Sequence, residues 1–239
     1  MVFHIDKVLY KLEVGATEPY LAMIKNQAVI IKTFNNRFSN KVLINEFICL
    51  KLANIIGLTI PEGGIGIIDE LTDLEDIKED LAFEGTTING KCFFSSEIYG
   101  TVFDGDESPI MNLVNNDEIN TVILFDYLIY NDDRHEGNLL IDLKTSLMYI
   151  IDHSHVFKDK HTWTSTSIKE NIKNNDFKDT NIYIENYDAV YRPFLMEKII
   201  TEDALKKASD KIKNAINDKI LDDIFNEVPY EWKKNMMTI

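Results

Sequence analysis

The sequence predicts an α+β fold of two lobes, a β-rich N-terminal lobe over residues 1–100 and a mostly helical C-terminal lobe over 101–239. Three observations carry that expectation. The first lobe is built of short runs rich in β-branched and aromatic residues, separated by turn residues. From the Gly100–Pro109 interval onward, apolar residues recur instead at helical spacing. Within the helical half, Asn131-Asp132-Asp133-Arg134-His135-Glu136-Gly137-Asn138 concentrates reactive side chains between a helix and a hairpin, the setting in which a loop carries function.

The elements follow in order. Val8 to Val14 reads as a strand, broken by Gly15-Ala16-Thr17-Glu18-Pro19. Tyr20 to Lys25 and Ala28 to Thr33 read as two more, with Asn26-Gln27 as their turn. Ser39 or Asn40 can cap a helix running to Ile56, which Gly57 ends and Pro61 keeps from resuming. Ile65 to Ile68 and Lys91 to Ile98 extend the same sheet. Between them, Asp69 to Asp80 holds seven carboxylates and one Lys, the composition of a solvated helix or loop.

In the second half, Asp117 to Tyr130 reads as a buried helix, and Leu139 to Asp142 with Leu147 to Ile151 as a hairpin. Lys158 to Asn181 is polar and weakly periodic, an ordered loop with a short helix. Thr201 caps an amphipathic helix with Leu205, Ala208, Ile212 and Ile216 on one face. A last helix near Asp218 to Asn226 precedes Pro229.

Composition narrows the function classes. A formal net charge of −15 argues against a sequence-independent grip on nucleic acid or on anionic lipid. Only three of the 25 basic residues are Arg (Arg37, Arg134, Arg192), so an Arg inside the reactive loop stands out. Cys49 and Cys92 sit among apolar neighbours and read as buried reduced thiols, and no Cys-x-x-Cys spacing supports zinc. No apolar run approaches the roughly 18 residues that span a bilayer, and a cytoplasmic location is expected.

The chemistry lies in the loop and the strand after the hairpin. The Asp133-x4-Asn138 spacing matches the catalytic loop of kinases, and Asp152, fourteen residues beyond Asn138, ends the next strand. Phosphoryl transfer needs positioning and charge neutralisation. Asp152 suits a magnesium ligand, and Asn138 adds a neutral oxygen. Asp133 is then left as general base or as the group that orients the substrate. Lys32 closes a Val-Ile-Ile-Lys strand, where its charge must reach solvent or meet an anion such as an ATP phosphate. Glu46 either pairs with Lys32 or lies on the exposed face of its helix. Thr17, in the turn between two strands, either covers the phosphates or is itself modified.

These pieces together resemble the HipA-like serine/threonine kinases, bacterial proteins distantly related to eukaryotic protein kinases and phosphoinositide kinases. The resemblance rests on Gly15 to Pro19, Val29-Ile30-Ile31-Lys32, Asn45-Glu46 with Leu52-Ala53, Gly57-Leu58 and Pro61, Phe94-Ser95-Ser96, Asn131 to Asn138, and Ile150-Ile151-Asp152-His153, in family order. Pro229-Tyr230-Glu231-Trp232 adds a C-terminal match.

The resemblance implies a protein-kinase-like fold that uses ATP and Mg2+. In it Asp133 is the catalytic base, and Asn138 and Asp152 are the metal ligands. Lys32 lies on the ATP phosphates, and Phe94, Ser95, Ser96 and Glu97 form the hinge strand facing adenine. His135 is expected near the transferred phosphate, and Arg134, grouped with the catalytic residues, braces the loop. The implied partner is a protein carrying the Ser or Thr acceptor, with this chain itself as one such acceptor.

Two departures from the family are visible. Better-known toxin members of toxin–antitoxin systems carry an extra N-terminal subdomain for which 239 residues leave no room, so a partner protein supplying it is an expectation. Asp152-His153-Ser154 stands where eukaryotic kinases have Asp-Phe-Gly, which puts the usual activation-segment switch in doubt. Three alternatives remain open. They are a phosphoinositide or small-molecule kinase, a phosphohydrolase using Asp132, Asp133, His135, Asp152, His153 and His155 on two metals, and a non-catalytic nucleotide-binding module of a toxin–antitoxin system.

Overall fold

The structure is a computed structural model. It describes residues 1–13, 15, 17–38, 40–105, 110–176 and 187–234. Val14, Ala16, the alternative cap Ser39, part of the expected lobe boundary (106–109) and the end of the polar 158–181 segment lie outside the described residues.

The N-terminal half is one mixed sheet around which everything else is hung. Its strands are β1 (Val2–His4), β2 (Lys7–Lys11), β3 (Tyr20–Ile24), β4 (Gln27–Lys32), β5 (Gly63–Ile68) and β6 (Gly90–Ser96), in the spatial order β1-β5-β6-β4-β3-β2. β1 runs parallel to β5 and the other pairs are antiparallel. The β3–β4 turn falls on Lys25-Asn26, one residue earlier than the sequence suggests, with Ile24 opposite Gln27. Lys25 takes a left-handed φ of 53° there and donates its N–H to the Asp6 carboxylate, which fixes the register. β5 can run close to β6 only because it is glycine-rich: a Cβ at Gly63 would stand 2.5 Å from the Phe94 carbonyl oxygen.

Between β4 and β5 runs α1 (Asn40–Ile56), buried on nearly all sides. Leu43, Phe47 and Leu50 pack toward Ile65 and Phe93 of the sheet. Cys49, Leu52, Ala53 and Ile56 pack with the helical half. A helix sandwiched in this way has an apolar band wider than one face. One apolar cluster therefore runs from α1 into the second half, while another, from Ile5 to Phe94, lies wholly within the N-terminal half. Gly57 ends α1 at φ 74°, and the Leu58 N–H returns to the Ala53 carbonyl at 2.9 Å.

The acidic interval forms a short 3-10 turn (Glu75–Ile77) and α2 (Lys78–Glu84), from which only Ile77 is buried. Lys7 meets Asp76 at 2.8 Å and Asp73 at 3.4 Å, so the carboxylates face solvent and surface Lys.

The second half starts with β7 (Gly100–Val102), which joins β8 (Leu139–Asp142) and β9 (Met148–Ile150) in a three-stranded antiparallel sheet. α3 (Ile119–Leu128) is shorter than the expected 117–130 helix because Tyr130 turns left-handed at φ 53° to launch the reactive loop. α4 (Ser165–Asn174) supplies the short helix foreseen in the polar segment, capped by Thr164. α5 (Tyr187–Val190) and α6 (Arg192–Met196) precede α7 (Glu202–Ala215), which packs on α3. Thr201 caps α7 by accepting from the Ala204 N–H at 3.2 Å. Asn217 does the same for α8 (Asp218–Glu227) through Ile220.

Pro229 does not end the helical structure. It caps a further turn, α9 (Tyr230–Lys233), whose Trp232 packs against Phe47 of α1 and donates to the Lys91 carbonyl at 3.1 Å. The halves are also tied at Thr59, whose N–H and hydroxyl donate to Glu118 at 2.8 and 2.9 Å and whose carbonyl accepts from Ile150. Among the described residues, no helix is long and apolar enough to cross a membrane.

Candidate active site

Three elements converge on one point: the C-terminal end of β4, the middle of α1, and the residues after β9. Lys32 ends β4 with its side chain 9% exposed, too enclosed to leave an ammonium unpaired. Its Nζ contacts Glu46 Oε1 on α1 and lies 3.0 Å from Asp152 Oδ1. Glu46 thus takes the inward pairing rather than the solvent face. The two carboxylates raise the Lys32 pKa above its ordinary value despite burial. Lys32 and the Ser154 hydroxyl hold the Asp152 carboxyl well below the usual carboxylate range.

Asp152 sits at φ 54°, a left-handed conformation that costs a non-glycine residue roughly 1–2 kcal/mol. That turn aims its carboxylate back toward Lys32. Oδ1 accepts from Ser154 Oγ at 2.6 Å and Ser154 N at 3.3 Å as well as from Lys32, and Oδ2 takes no part in these bonds.

The reactive loop is held from beneath. Arg134 is wholly buried and reaches Asp126 of α3 through Nε at 2.9 Å and Nη2 at 3.0 Å. Its Nη1 donates to the carbonyls of Asn138 (3.0 Å) and Ile151 (3.1 Å), and Nη2 lies 3.1 Å from His153 Nε2. Asn131 and the Tyr191 hydroxyl also donate to Asp126. Although the sequence groups Arg134 with the catalytic residues, it has no surface from which to touch a substrate. It is a positioning residue that ties the loop to the strand end carrying Asp152.

Above that base Asp133 is the open group. Its side chain is 53% exposed, while its backbone is pinned at both ends. The Asp133 N–H donates to Asn131 Oδ1 at 3.2 Å, and its carbonyl accepts from Asn138 Nδ2 at 3.1 Å. The second bond orients the Asn138 carboxamide and leaves Oδ1 as its available donor to a metal. His135 turns back on the loop, with Nδ1 accepting from the Gly137 N–H at 3.1 Å. That acceptance assigns the ring proton to Nε2.

The remaining expected residues are placed less directly. Phe93 lies opposite Lys32 in the β4–β6 ladder and Phe94 opposite Ile31, so alternation puts Phe94 on the other face of the sheet from Lys32. Its ring packs on Phe3 at 5.2 Å, so the Phe94 side chain does not face a nucleotide beside Lys32. The Ser96 and Glu97 N–H groups donate to the Glu62 and Ala28 carbonyls and are already engaged, and Ser95 is half-buried in the ladder. Thr17 is only 2% exposed, so its hydroxyl does not stand out as a modification site.

Two contributors, Asp126 and Tyr191, escape the sequence reading, and Asn45 entered it only as part of a motif. Asp126 was detectable in principle, since a carboxylate within an otherwise apolar helix must find a buried partner. Tyr191 carried no such signal. Asn45 of α1 donates to the carbonyls of Ser154 (2.8 Å) and Lys160 (3.2 Å) and accepts from Trp163 Nε1 (3.3 Å), pinning the segment that follows Asp152.

A two-metal phosphohydrolase does not fit this arrangement. His153 is buried with Nε2 against Arg134, and burial and that guanidinium hold its pKa well below the ordinary value. No group of three or more His, Cys, Asp or Glu poised for a metal occurs among the described residues.

Comparison with known proteins bears on the fold and the family. Among solved structures, a Helicobacter pylori proinflammatory kinase, CtkA, superposes with a TM-score of 0.63 at 13% identity, covering 99% of this chain and 94% of that one. HipA of Shewanella oneidensis MR-1, from a toxin–antitoxin complex with HipB and operator DNA, superposes with a TM-score of 0.47 at 10% identity, covering 95% and 64%. No curated protein matches the chain. The two-lobed α+β architecture is thus kinase-like. The sequence model of the HipA-like kinase family matches residues 5–238, nearly the whole chain, and the protein belongs to that family.

Proposed function

We propose that this kinase transfers the γ-phosphoryl group of ATP, in the presence of Mg2+, to a Ser or Thr hydroxyl of a protein. The observation that carries the reading is the meeting of Lys32 with Asp152 at 3.0 Å beside a loop whose Asp133 backbone is pinned while its carboxylate stands open. One carboxylate and one carboxamide oxygen, from Asp152 and Asn138, suit magnesium, which completes its shell with phosphate and water. Bound there, Mg2+ would neutralise charge on the phosphate oxygens.

The residues then divide the work. Lys32, held by Glu46, presents its ammonium to the nucleotide phosphates. Asp133 orients the acceptor hydroxyl and takes its proton as the new oxygen–phosphorus bond forms and ADP leaves with the old bridging oxygen. Arg134 and Asp126 keep Asp133, Asn138 and Asp152 in register.

The test is intact mass after incubation with Mg-ATP, for the wild type and Asp133→Asn, with and without host extract. Gain of a phosphoryl group on the protein, or on an extract protein, by the wild type alone supports the reading. ATP binding without transfer to any protein would instead make the chain a non-catalytic nucleotide-binding module.

A further inference from the structure

Just after Asp152 the chain builds a cluster that the transfer chemistry does not use. His155 and His161 stack edge to face at 4.9 Å, and Phe38, from the β4–α1 connection, packs on both at 5.2 and 3.9 Å. Arg37 lies over the Phe38 ring at 5.3 Å, and Lys41, in the first turn of α1, over Trp163 at 5.3 Å. Lys160 reaches Asp132 at 3.1 Å. The cluster is anchored by Asn45, which fixes the backbone at Ser154 and Lys160.

Its position relates it to the acceptor. His155 Nδ1 is 3.8 Å from Asp133 Oδ2 and 3.1 Å from the Ser154 hydroxyl, which itself donates to Asp152. A hydroxyl seated on Asp133 therefore has His155 beside it, and His161 lies one ring further out. An extended peptide advances about 3.3–3.6 Å per residue, so residues one and two positions from the acceptor pass over these imidazoles.

Cations and carboxylates alternate here, with Lys160 paired to Asp132 and His155 beside Asp133, while Lys41 meets no carboxylate among the described residues. In a protein of net charge −15, the groups acting on His161 are His155, Lys160 and Lys41, and together with burial they lower its pKa. His161 Nδ1 is enclosed and has no partner among the described residues, so contact with anything bound falls to Nε2. Imidazoles and ammoniums gathered on an aromatic platform next to the acceptor position fit a carboxylate side chain better than a cationic one.

We infer that the Phe38–His155–His161 cluster, with Lys41, receives the acceptor segment and selects Ser or Thr residues flanked by Asp or Glu. This specificity rests on the proposed transfer to a protein hydroxyl, but it can be read without any transfer.

The experiment measures binding of fluorescent Ser peptides flanked by Glu, Ala or Lys to the full chain, for the wild type, Lys41→Glu and His161→Ala. Lys41 is in the first turn of α1, where Glu suits the helix dipole, so loss of the fold is not the expected effect. The Glu-flanked peptide should bind the wild type roughly threefold to tenfold more tightly than the Lys-flanked one, as attraction of Glu and repulsion of Lys by Lys41 would give. Lys41→Glu should erase or invert that order, and His161→Ala should weaken it, with ATP affinity unchanged in both. Equal binding of the three peptides, a preference for Lys, or a preference that survives Lys41→Glu would overturn the inference. Failure of transfer with the peptide preference intact would instead count against the kinase reaction alone.

Discussion

Asp126 and Arg134 form an ion pair that solvent does not reach: both side chains are 0% exposed, and two guanidinium nitrogens meet the carboxylate at 2.9 and 3.0 Å. The pair is the keystone beneath the loop Asn131–Asn138. Asp126→Ala would leave a buried guanidinium with no counter-charge, a change that costs about 3–5 kcal/mol. Urea denaturation should show that loss, and the double variant Asp126→Leu with Arg134→Met should recover part of it. A single variant as stable as the wild type would mean that the loop does not depend on this pair.

The site residues separate into those that support the fold and one that does not. Asp133 is half exposed with a free carboxylate, so Asp133→Asn should change stability by no more than about 0.5 kcal/mol while lowering transfer by about 10²–10⁴-fold. Lys32→Met should abolish transfer and also destabilise the fold, because Glu46 and Asp152 would face each other without a cation. Thermal melts and phosphoryl-transfer assays on the same preparations make the contrast. Equal destabilisation by both variants would contradict it.

Burial pushes the Cys92 thiol up to about 12 and the Cys49 thiol well above its ordinary value. At pH 8 a thiol with a pKa near 12 holds roughly one thiolate in ten thousand, and neither sulfur meets solvent. A thiol-specific chromogenic reagent should therefore report no reaction in the native protein and two thiols after denaturation. Prompt labelling of the native form would show that α1 or β6 opens far more readily than its packing suggests.

His4 lies between Asp6 (3.2 Å) and Asp69 (3.1 Å), whose hydrogen bonds raise its pKa above 6.5. A raised folded value means that the imidazolium contributes stability below the unfolded pKa, and that this contribution fades as pH rises through the folded pKa. His4→Asn should therefore be less stable than the wild type near pH 6, by a few tenths of a kcal/mol for so exposed a site, and equal to it near pH 8.5. An NMR titration midpoint at or below 6.5 would refute the pairing.

What the sequence reveals and what it hides have physical causes. β3, β4 and β6 were legible because their β-branched and aromatic runs are bounded by turn residues, and α7 because Thr201 marks where a polar cap meets an apolar stripe. β1 and β7 are three residues each and exposed or half-exposed, so no alternation can show in them; they are strands because β5 and β8 offer free edges. The loop Asn131–Asn138 was conspicuous by residue type, but its support comes from Asp126, eight residues before Arg134 on the preceding helix, and from Tyr191, which is distant in sequence and meets it only through the tertiary fold. Phe94 shows the limit of reading by order alone: the strand is where the resemblance puts it, yet the ring faces Phe3.

Trp232 has one more consequence. Besides the continuous chain at residues 97–99, the β-rich half is gripped by α9, where Trp232 bonds the Lys91 carbonyl, Glu231 meets Lys91 at 3.0 Å, and Phe47 receives the indole. The molecule is thus a closed ring rather than a clamshell. Any breathing of its cleft has to flex this joint together with the Thr59–Glu118 tie and the chain at residues 97–99, although Trp232 stands 80 residues beyond Asp152 in sequence.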